Sequence, residues 1–230
     1  MVGHFSMPID NANEGYGAIA VIERETSGNL KLISGEIITP ENLAVKINSV
    51  ANKTGNYLIA EFLKNSDEIK ELCGDSVASF RVVMLVRNGE PEFFRALCLL
   101  PLFGHTTSNV KGFTTGSIAC PISKEGYIKR AISSVGVNAI EIDIHPDTGI
   151  PLIEKKIIGW PALIEMVTQA SRAMSPFRMQ HWDIALTQRG PVIMEMNFIG
   201  SVAGCQIGGP PGLYSEQYLS FRQTHTLDNE

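Results

Sequence analysis

The sequence predicts an α+β protein in two lobes: a small lobe over residues 1–63 and a larger lobe, built on an antiparallel sheet, over residues 64–225, with 226–230 left as a tail. Two observations carry this reading. The hydrophobic period changes repeatedly between strand and helix spacing along the chain, and several alternating segments are joined by tight-turn residues, as in hairpins. With 44% hydrophobic residues in a chain of 230, there is enough apolar surface for one large domain or two small lobes, and disorder is excluded.

Taken in order, Gly17 to Glu23 reads as a strand and Leu30 to Ile38 as its partner. Thr39-Pro40-Glu41 then supplies an N-cap, a first-turn proline and an acidic first turn, and Leu43, Ile47 and Val50 recur at helical spacing until Gly55 and Asn56. Tyr57 to Leu63 returns as an apolar strand. Ser66-Asp67-Glu68 opens a short helix with Ile69, Leu72 and Cys73 on one side and Gly74 at its carboxyl end. The larger lobe begins about here. Phe80 to Val86 and Glu92 to Leu100 alternate on either side of an Asn88-Gly89 hairpin turn. After a Gly- and Thr-rich stretch from Gly104 to Gly116, Ile118 to Ile122 and Glu141 to His145 read as strands. Trp160-Pro161 starts a helix whose Leu163, Ile164, Val167, Ala170 and Met174 form one apolar stripe.

Composition excludes several classes of function. A net charge of −5 with 19% charged residues builds no basic face, so nucleic acid is not a partner. The four cysteines, at 73, 98, 120 and 205, have no short metal-ligand spacing, and no amino-terminal segment has the pattern of a secretory signal; the expectation is a reduced, cytoplasmic protein. Apolar runs such as Ala96 to Leu102 are far shorter than the roughly 20 residues that cross a bilayer, so membrane insertion is not expected.

The candidate chemistry lies near the carboxyl end. His181 to Thr187 and Pro191 to Asn197 both alternate, with Gln188-Arg189-Gly190 between them as a three-residue hairpin loop. Counting from Thr187 opposite Pro191 places Ala185 opposite Ile193 and Asp183 opposite Glu195, with Asn197 one diagonal step away on the same face. Two carboxylates directly opposed repel unless something positive lies between them. Two carboxylates and an amide are hard oxygen donors that suit magnesium rather than zinc or copper. Counting leaves a second reading open, in which Asp183 is a solvated edge residue and Glu195 bonds a neighbouring Lys or Arg.

The strands WDIALT (182–187) and GPVIMEMN (190–197) resemble the metal-binding hairpin of ATP-grasp enzymes. HPDTG at 145–149, Ile157-Ile158-Gly159-Trp160-Pro161 and the helix that follows precede them in the order found in the sugar-transfer-associated ATP-grasp group, which is related to α-L-glutamate ligases. SFRVVMLVRNGEPEFFRA at 79–96 is similar to the strand and hairpin after the adenine-binding hinge, and the resemblance covers about residues 5 to 220. It implies an ATP-grasp fold, a small lid lobe over a larger antiparallel lobe, with ATP held between them. Magnesium, or manganese in its place, would bridge the phosphates, and an acyl phosphate would form from a carboxylate before an amine or thiol attacks. Carried over residue by residue, Asp183, Glu195 and Asn197 match the metal ligands, and Glu61-Phe62-Leu63 the hinge whose backbone contacts adenine. Arg81 matches the arginine facing the phosphates and is the one catalytic candidate. Asp67 or Glu68 corresponds to the ribose contact, and Ser108-Asn109 to a phosphate-contacting pair, while Gly15 and Gly17 are what remains of the phosphate lid. Lys111 is placed near phosphate or substrate, specificity is placed in the loops 104–116 and 198–213, and within the latter Gly200 to Gly212 walls the acceptor site. His145 and His181 are read as structural.

The sequence departs from this pattern in two places. Met7 in Phe5-Ser6-Met7-Pro8 stands where such enzymes present a lysine to the α-phosphate. The chain also begins almost on that strand, so the expectation is a protein without the amino-terminal domain that usually completes the fold, working with a partner domain or as a homodimer. Two functions follow from the resemblance: an ATP- and magnesium-dependent ligase joining a carboxylate to an amine acceptor in polysaccharide or cell-surface precursor modification, or a truncated or degenerate, non-catalytic ATP-binding module acting with a partner.

Overall fold

The structure is a computed structural model that describes residues 4–8, 19–54, 57–103, 116–134, 138–198, 200, 206–207 and 212–226. The first third of the chain forms strands β1 (His4–Pro8), β2 (Ile19–Arg24), β3 (Leu30–Leu32), β4 (Ile37–Ile38) and β5 (Tyr57–Glu61), with helix α1 (Pro40–Thr54) between β4 and β5. The strands make one antiparallel sheet in the order β4-β3-β2-β1-β5. Ile19, Val21, Leu32 and Ile38 form its small core, against which Leu43 and Ile47 of α1 pack, two of the positions that helical spacing singles out. The Thr39 hydroxyl accepts a hydrogen bond from the Asn42 amide at 3.2 Å, the N-cap expected of it.

One expected strand breaks. Leu30 to Ile38 is not continuous but folds back as β3 and β4, Leu30 facing Ile38, because the chain turns between Leu32 and Glu36. Gly35 has φ +86° there, a conformation open to glycine and costly for most other residues.

The rest of the chain adds helix α2 (Asp67–Cys73) and strands β6 (Ser79–Arg87), β7 (Glu90–Pro101), β8 (Ser117–Ile122), β9 (Ile132–Ser133) and β10 (Ile140–Glu141). Helix α3 (Trp160–Ala173), strands β11 (Met179–Thr187) and β12 (Gly190–Asn197) and helix α4 (Glu216–Thr226) complete it. Seven strands make a second antiparallel sheet in the order β10-β9-β8-β7-β6-β11-β12. Asn88 and Gly89 join β6 to β7 with φ of +50° and +82°, the two left-handed residues of the hairpin turn that Asn-Gly prefers. The chain is thus α+β, with antiparallel sheets and four helices among the described residues.

One face of the large sheet is dry. Phe80, Val82, Met84, Cys98, Ile118, Cys120, Trp182, Ile184 and Leu186 point into a core closed by α2 and α3. The α3 stripe behaves as its period predicts: Leu163 and Val167 are buried, and Ile164, Ala170 and Met174 pack against the core at its margin. The opposite face is divided. Leu213 of the segment before α4 and Phe221 of α4 cover Val83, Leu85 and Phe94, while Leu97, Leu99, Ala119 and Ile132 form a separate apolar patch. The remaining part of that face, at β6, β11 and β12, is polar.

A second expected strand is shorter than its pattern suggests. Of Glu141 to His145 only Glu141 lies in a strand, with Ile140. Beyond the Ile142 amide, which reaches Ala131 O, the chain closes a loop around His145-Pro146-Asp147-Thr148-Gly149. That loop is tied down from two sides: Asp147 accepts from the Phe103 amide at 2.8 Å, and Thr148 Oγ1 donates to Leu72 O at 3.0 Å. Cys73, Cys98 and Cys120 are buried free thiols. Among the described residues no helix is long and apolar enough to cross a membrane.

Candidate functional site

β11 is the central strand of the candidate site, because its two faces carry opposite chemistry. Trp182, Ile184 and Leu186 alternate into the core, which forces His181, Asp183, Ala185 and Thr187 onto the other face. The hairpin to β12 closes more tightly than expected. Thr187 pairs with Gly190 across a two-residue turn of Gln188 and Arg189, so Leu186 faces Pro191 and Ala185 faces Val192, one residue off the count made from the sequence. A β-bulge between Asp183 and Ile184 then takes up one residue on β12, and beyond it Asp183 faces Glu195 and His181 faces Asn197. The two shifts cancel, and the carboxylates oppose each other as the sequence count places them.

The neighbouring strand supplies the positive charge. Arg81 on β6 is the cross-strand partner of Asp183, and its guanidinium donates to both carboxylate oxygens, from Nε to Oδ1 at 2.7 Å and from Nη2 to Oδ2 at 2.6 Å. The side chains are only 11% and 9% exposed, so this fork lies in a setting where a charge-assisted pair is strong and a lone charge is costly. The sequence resemblance assigns Arg81 to phosphate, whereas in this structure it binds the Asp183 carboxylate. Asn197 Nδ2 donates to Glu195 Oε1 at 2.8 Å, and one row thus runs Asn197, Glu195, Asp183, Arg81 across three strands. The Glu195 carboxyl is raised above its ordinary value, first by partial burial and further by the adjacent Asp183, against the Asn197 hydrogen bond and the Arg81 charge, which lower it. A carboxyl pair whose second member resists ionisation is a place where an added cation is favourable.

His181, at the end of the same row, is 1% exposed, and burial, then the Arg81 charge, push its pKa down to about 4. It is a neutral imidazole whose Nδ1 has no hydrogen-bond partner among the described residues.

The segment after β5 links this site to the small sheet. Glu61, the last residue of β5, is exposed and accepts from Arg189 Nη2 at 3.0 Å, in the β11–β12 turn. Phe62 is 5% exposed, Leu63 is half-buried, and Asp67 is exposed at the start of α2. Phe62 lines a cavity of about 420 Å³ together with Ile22 and Lys31 of the small sheet, Lys64, Asn65 and Gln188. The volume is that of a small-molecule site. Glu68 is otherwise engaged: its carboxylate accepts from the Ile158 and Gly159 amides at 2.7 and 2.8 Å and caps the start of α3, which lacks an acidic first turn of its own. Both Glu68 carboxylate oxygens are thus engaged by backbone amides, while Asp67 is the residue of the two left facing solvent.

Asn65 is a structural residue beside the candidate site that sequence reasoning missed. It is 3% exposed, donates to Gly74 O and Ser76 O at 2.9 and 2.8 Å and accepts from the Ala78 amide at 3.2 Å. Together with the Ser66 amide bond to Leu186 O at 2.8 Å, it fastens the segment between the two sheets to α2 and β11. A polar residue flanked by Lys64 and Ser66 gives no local sign of burial. Gly15, Gly17, Ser108, Asn109 and Lys111 lie outside the described residues, as does most of 198–213. Met7 pairs with Leu58 through its backbone in β1.

Among the described residues no three His, Cys, Asp or Glu side chains converge as a metal cluster, so the candidate metal set consists of two carboxylates and one amide. No curated protein matches the chain. The family model of sugar-transfer associated ATP-grasp proteins does match it, over residues 6–220, a span that includes Glu61-Phe62-Leu63, Arg81 and the whole of the Asp183–Asn197 hairpin, and the chain therefore belongs to the sugar-transfer associated ATP-grasp family.

Proposed function

We propose that this chain binds ATP between its two sheets, with magnesium at Asp183, Glu195 and Asn197, and uses it to join a carboxylate to an amine or thiol. ATP-grasp proteins are in general ATP-dependent ligases that use ATP and Mg2+. The observation that carries the reading for this chain is the row of Asn197, Glu195, Asp183 and Arg81 on the polar face of the large sheet. Its donors are oxygens, the set a magnesium ion takes, and each Asp183 oxygen keeps a lone pair after accepting from Arg81. Bound there, the ion would draw charge from the β- and γ-phosphates and leave the γ-phosphorus open to a carboxylate oxygen.

The chain's own residues would do the rest by position. Residues 1–63 act as the lid lobe and 64–225 as the lobe that carries the metal ligands. Phe62, which lines the cavity by the small sheet, would seat the base there together with the backbone of its neighbours Glu61 and Leu63. Arg81 holds Asp183 oriented through its two hydrogen bonds, and Asp67, exposed at the start of α2, is available to the ribose hydroxyls. The γ-phosphoryl group passes to an oxygen of the substrate carboxylate with loss of ADP. The amine or thiol then attacks the acyl carbon, and phosphate leaves with the oxygen it received. In this reading the carboxylate and the amine acceptor come from polysaccharide or cell-surface precursor modification.

Met7 favours a second reading, a nucleotide-binding module without turnover, because an uncharged thioether stands where a lysine meets the α-phosphate in such enzymes. Titrating ATP into the protein by calorimetry, with and without Mg2+, tests the first half of the proposal. Binding that needs Mg2+ and disappears in Asp183→Asn supports the site; Mg2+-independent binding that survives in Asp183→Asn overturns it. Phosphate release on adding carboxylate and amine then separates ligase from module.

A further inference from the structure

We propose that His181 is a positioning residue for the ligand set, its buried ring locked against the backbone of Gly200 so that the chain leaving β12 keeps Asn197 beside Glu195. The inference rests on the metal reading above and adds to it a contact that lies outside the candidate ligand set. His181 and Asn197 are the last register pair of the β11–β12 ladder among the described residues. Three residues later Gly200 returns to His181. A Cβ on Gly200 would overlap His181 Cγ and Nδ1 and lie 2.6 Å from Cδ2. Gly200 has no positive φ, so the requirement for glycine is one of space and not of backbone conformation. The ring is 1% exposed and leaves Nδ1 unpaired, which is unfavourable for a buried polar atom and unexplained if the side chain were only filler, since an aliphatic residue would fill the space without that cost. A flat ring is instead what permits backbone to lie directly against it.

The consequence is geometric. Asn197 lies between two fixed points, its own pairing with His181 and the Gly200 backbone packed on the same ring, and its carboxamide donates to Glu195 Oε1 at 2.8 Å. Displacing either the ring or Gly200 frees the last residue of β12 while leaving Asp183, its Arg81 fork and the α3-side core in place. Outer contacts of this kind tune a metal site without touching the metal.

The test is the Mg2+ concentration that gives half-maximal ATP binding, measured by calorimetry at fixed ATP for the wild type, Gly200→Ala, His181→Ala, the double variant and Asp183→Asn, with the melting temperature of each recorded without Mg2+. Gly200→Ala and His181→Ala are each expected to raise the Mg2+ requirement about tenfold or more, the effect seen when outer-contact residues are removed. The double variant, in which the new methyl occupies part of the space the ring leaves, is expected to need less Mg2+ than Gly200→Ala. If Gly200→Ala does not fold, His181→Ala carries the same prediction with Gly200 intact. The proposal is overturned if Asp183→Asn abolishes Mg2+-dependent binding while His181→Ala stays within twofold of wild type, or if the double variant needs as much Mg2+ as Gly200→Ala. Mg2+-dependent binding that persists in Asp183→Asn would instead overturn the metal reading itself.

Discussion

The two faces of β11 obey different rules. On one, Trp182, Ile184 and Leu186 are nearly or fully buried in a dry core, and the stability they contribute grows with the apolar area they hide. On the other, His181 and Asp183 are as well buried, at 1% and 6% exposure, but what they bring together is charge: an acid opposite an acid, one arginine shared along the row and a neutral imidazole at its end. The first face is complete without a ligand. The second is balanced for charge only in part, since one guanidinium faces two carboxyls and the second carboxyl is pushed toward its protonated form. The difference teaches that a strand can be fixed by one face so that the other can hold groups that would not assemble by themselves.

The largest expected effect is on the dry face. Trp182→Ala should lose about 3–5 kcal/mol in urea unfolding, as for other large-to-small core changes, and added Mg2+ should leave that loss unchanged. On the polar face, Arg81→Met should cost nearly as much, about 3 kcal/mol, because it leaves the buried Asp183 carboxylate without its partner, but here Mg2+ should restore part of the loss by replacing the missing cation. A Mg2+ response in Trp182→Ala, or none in Arg81→Met, would break the comparison.

A smaller effect should have the opposite sign. Glu195 has its pKa raised in the folded protein, so the folded state holds that proton more tightly than the unfolded chain, and stability falls as pH rises through the range above the ordinary carboxylate value. Removing the charge in Glu195→Gln should therefore stabilise the protein at neutral pH by about 0.2–1 kcal/mol, the scale of a like-charge cross-strand pair. The smallest effect concerns His145, away from the row. It is fully buried, and burial lowers its pKa from the ordinary 6.5 against the opposing influence of Asp147. The unfolded chain takes up a proton there that the folded state refuses, so stability is present above 6.5 and is lost as pH falls below it. In urea midpoints at pH 7.5 and 5.5, His145→Gln should show a shallower decline than the wild type.

Much of this arrangement is legible in the chain, and the parts that are not share a cause. The Thr39 cap, the Asn88-Gly89 turn and the α3 stripe depend on residues within a few positions of each other, and each appears where local pattern places it. The Asp183–Glu195 pairing is legible for a less comfortable reason: a tighter turn and a bulge each shift the register by one, in opposite directions. The expected continuity of Leu30 to Ile38 fails because alternation does not reveal a turn inside an apolar run, and only Gly35 marks it. The contacts that define the candidate site in space are long-range. Arg81 and Asp183 are 102 residues apart and Glu68 and Gly159 are 91 apart, so strand counting along one hairpin gives no access to either. Resemblance named Arg81, but the strand order that puts β6 beside β11 is what gives it Asp183 as a partner.

The central claim, that the polar face is left short of positive charge so that it can take Mg2+ with ATP, is tested most directly by melting the wild type and Glu195→Gln with and without Mg2+ and ATP together. The account predicts crossed results: without ligand Glu195→Gln melts at the higher temperature, and with Mg2+ and ATP only the wild type rises, overtaking it. A Glu195→Gln protein that melts lower than wild type without ligand, or that gains as much as wild type from Mg2+ and ATP, would contradict it.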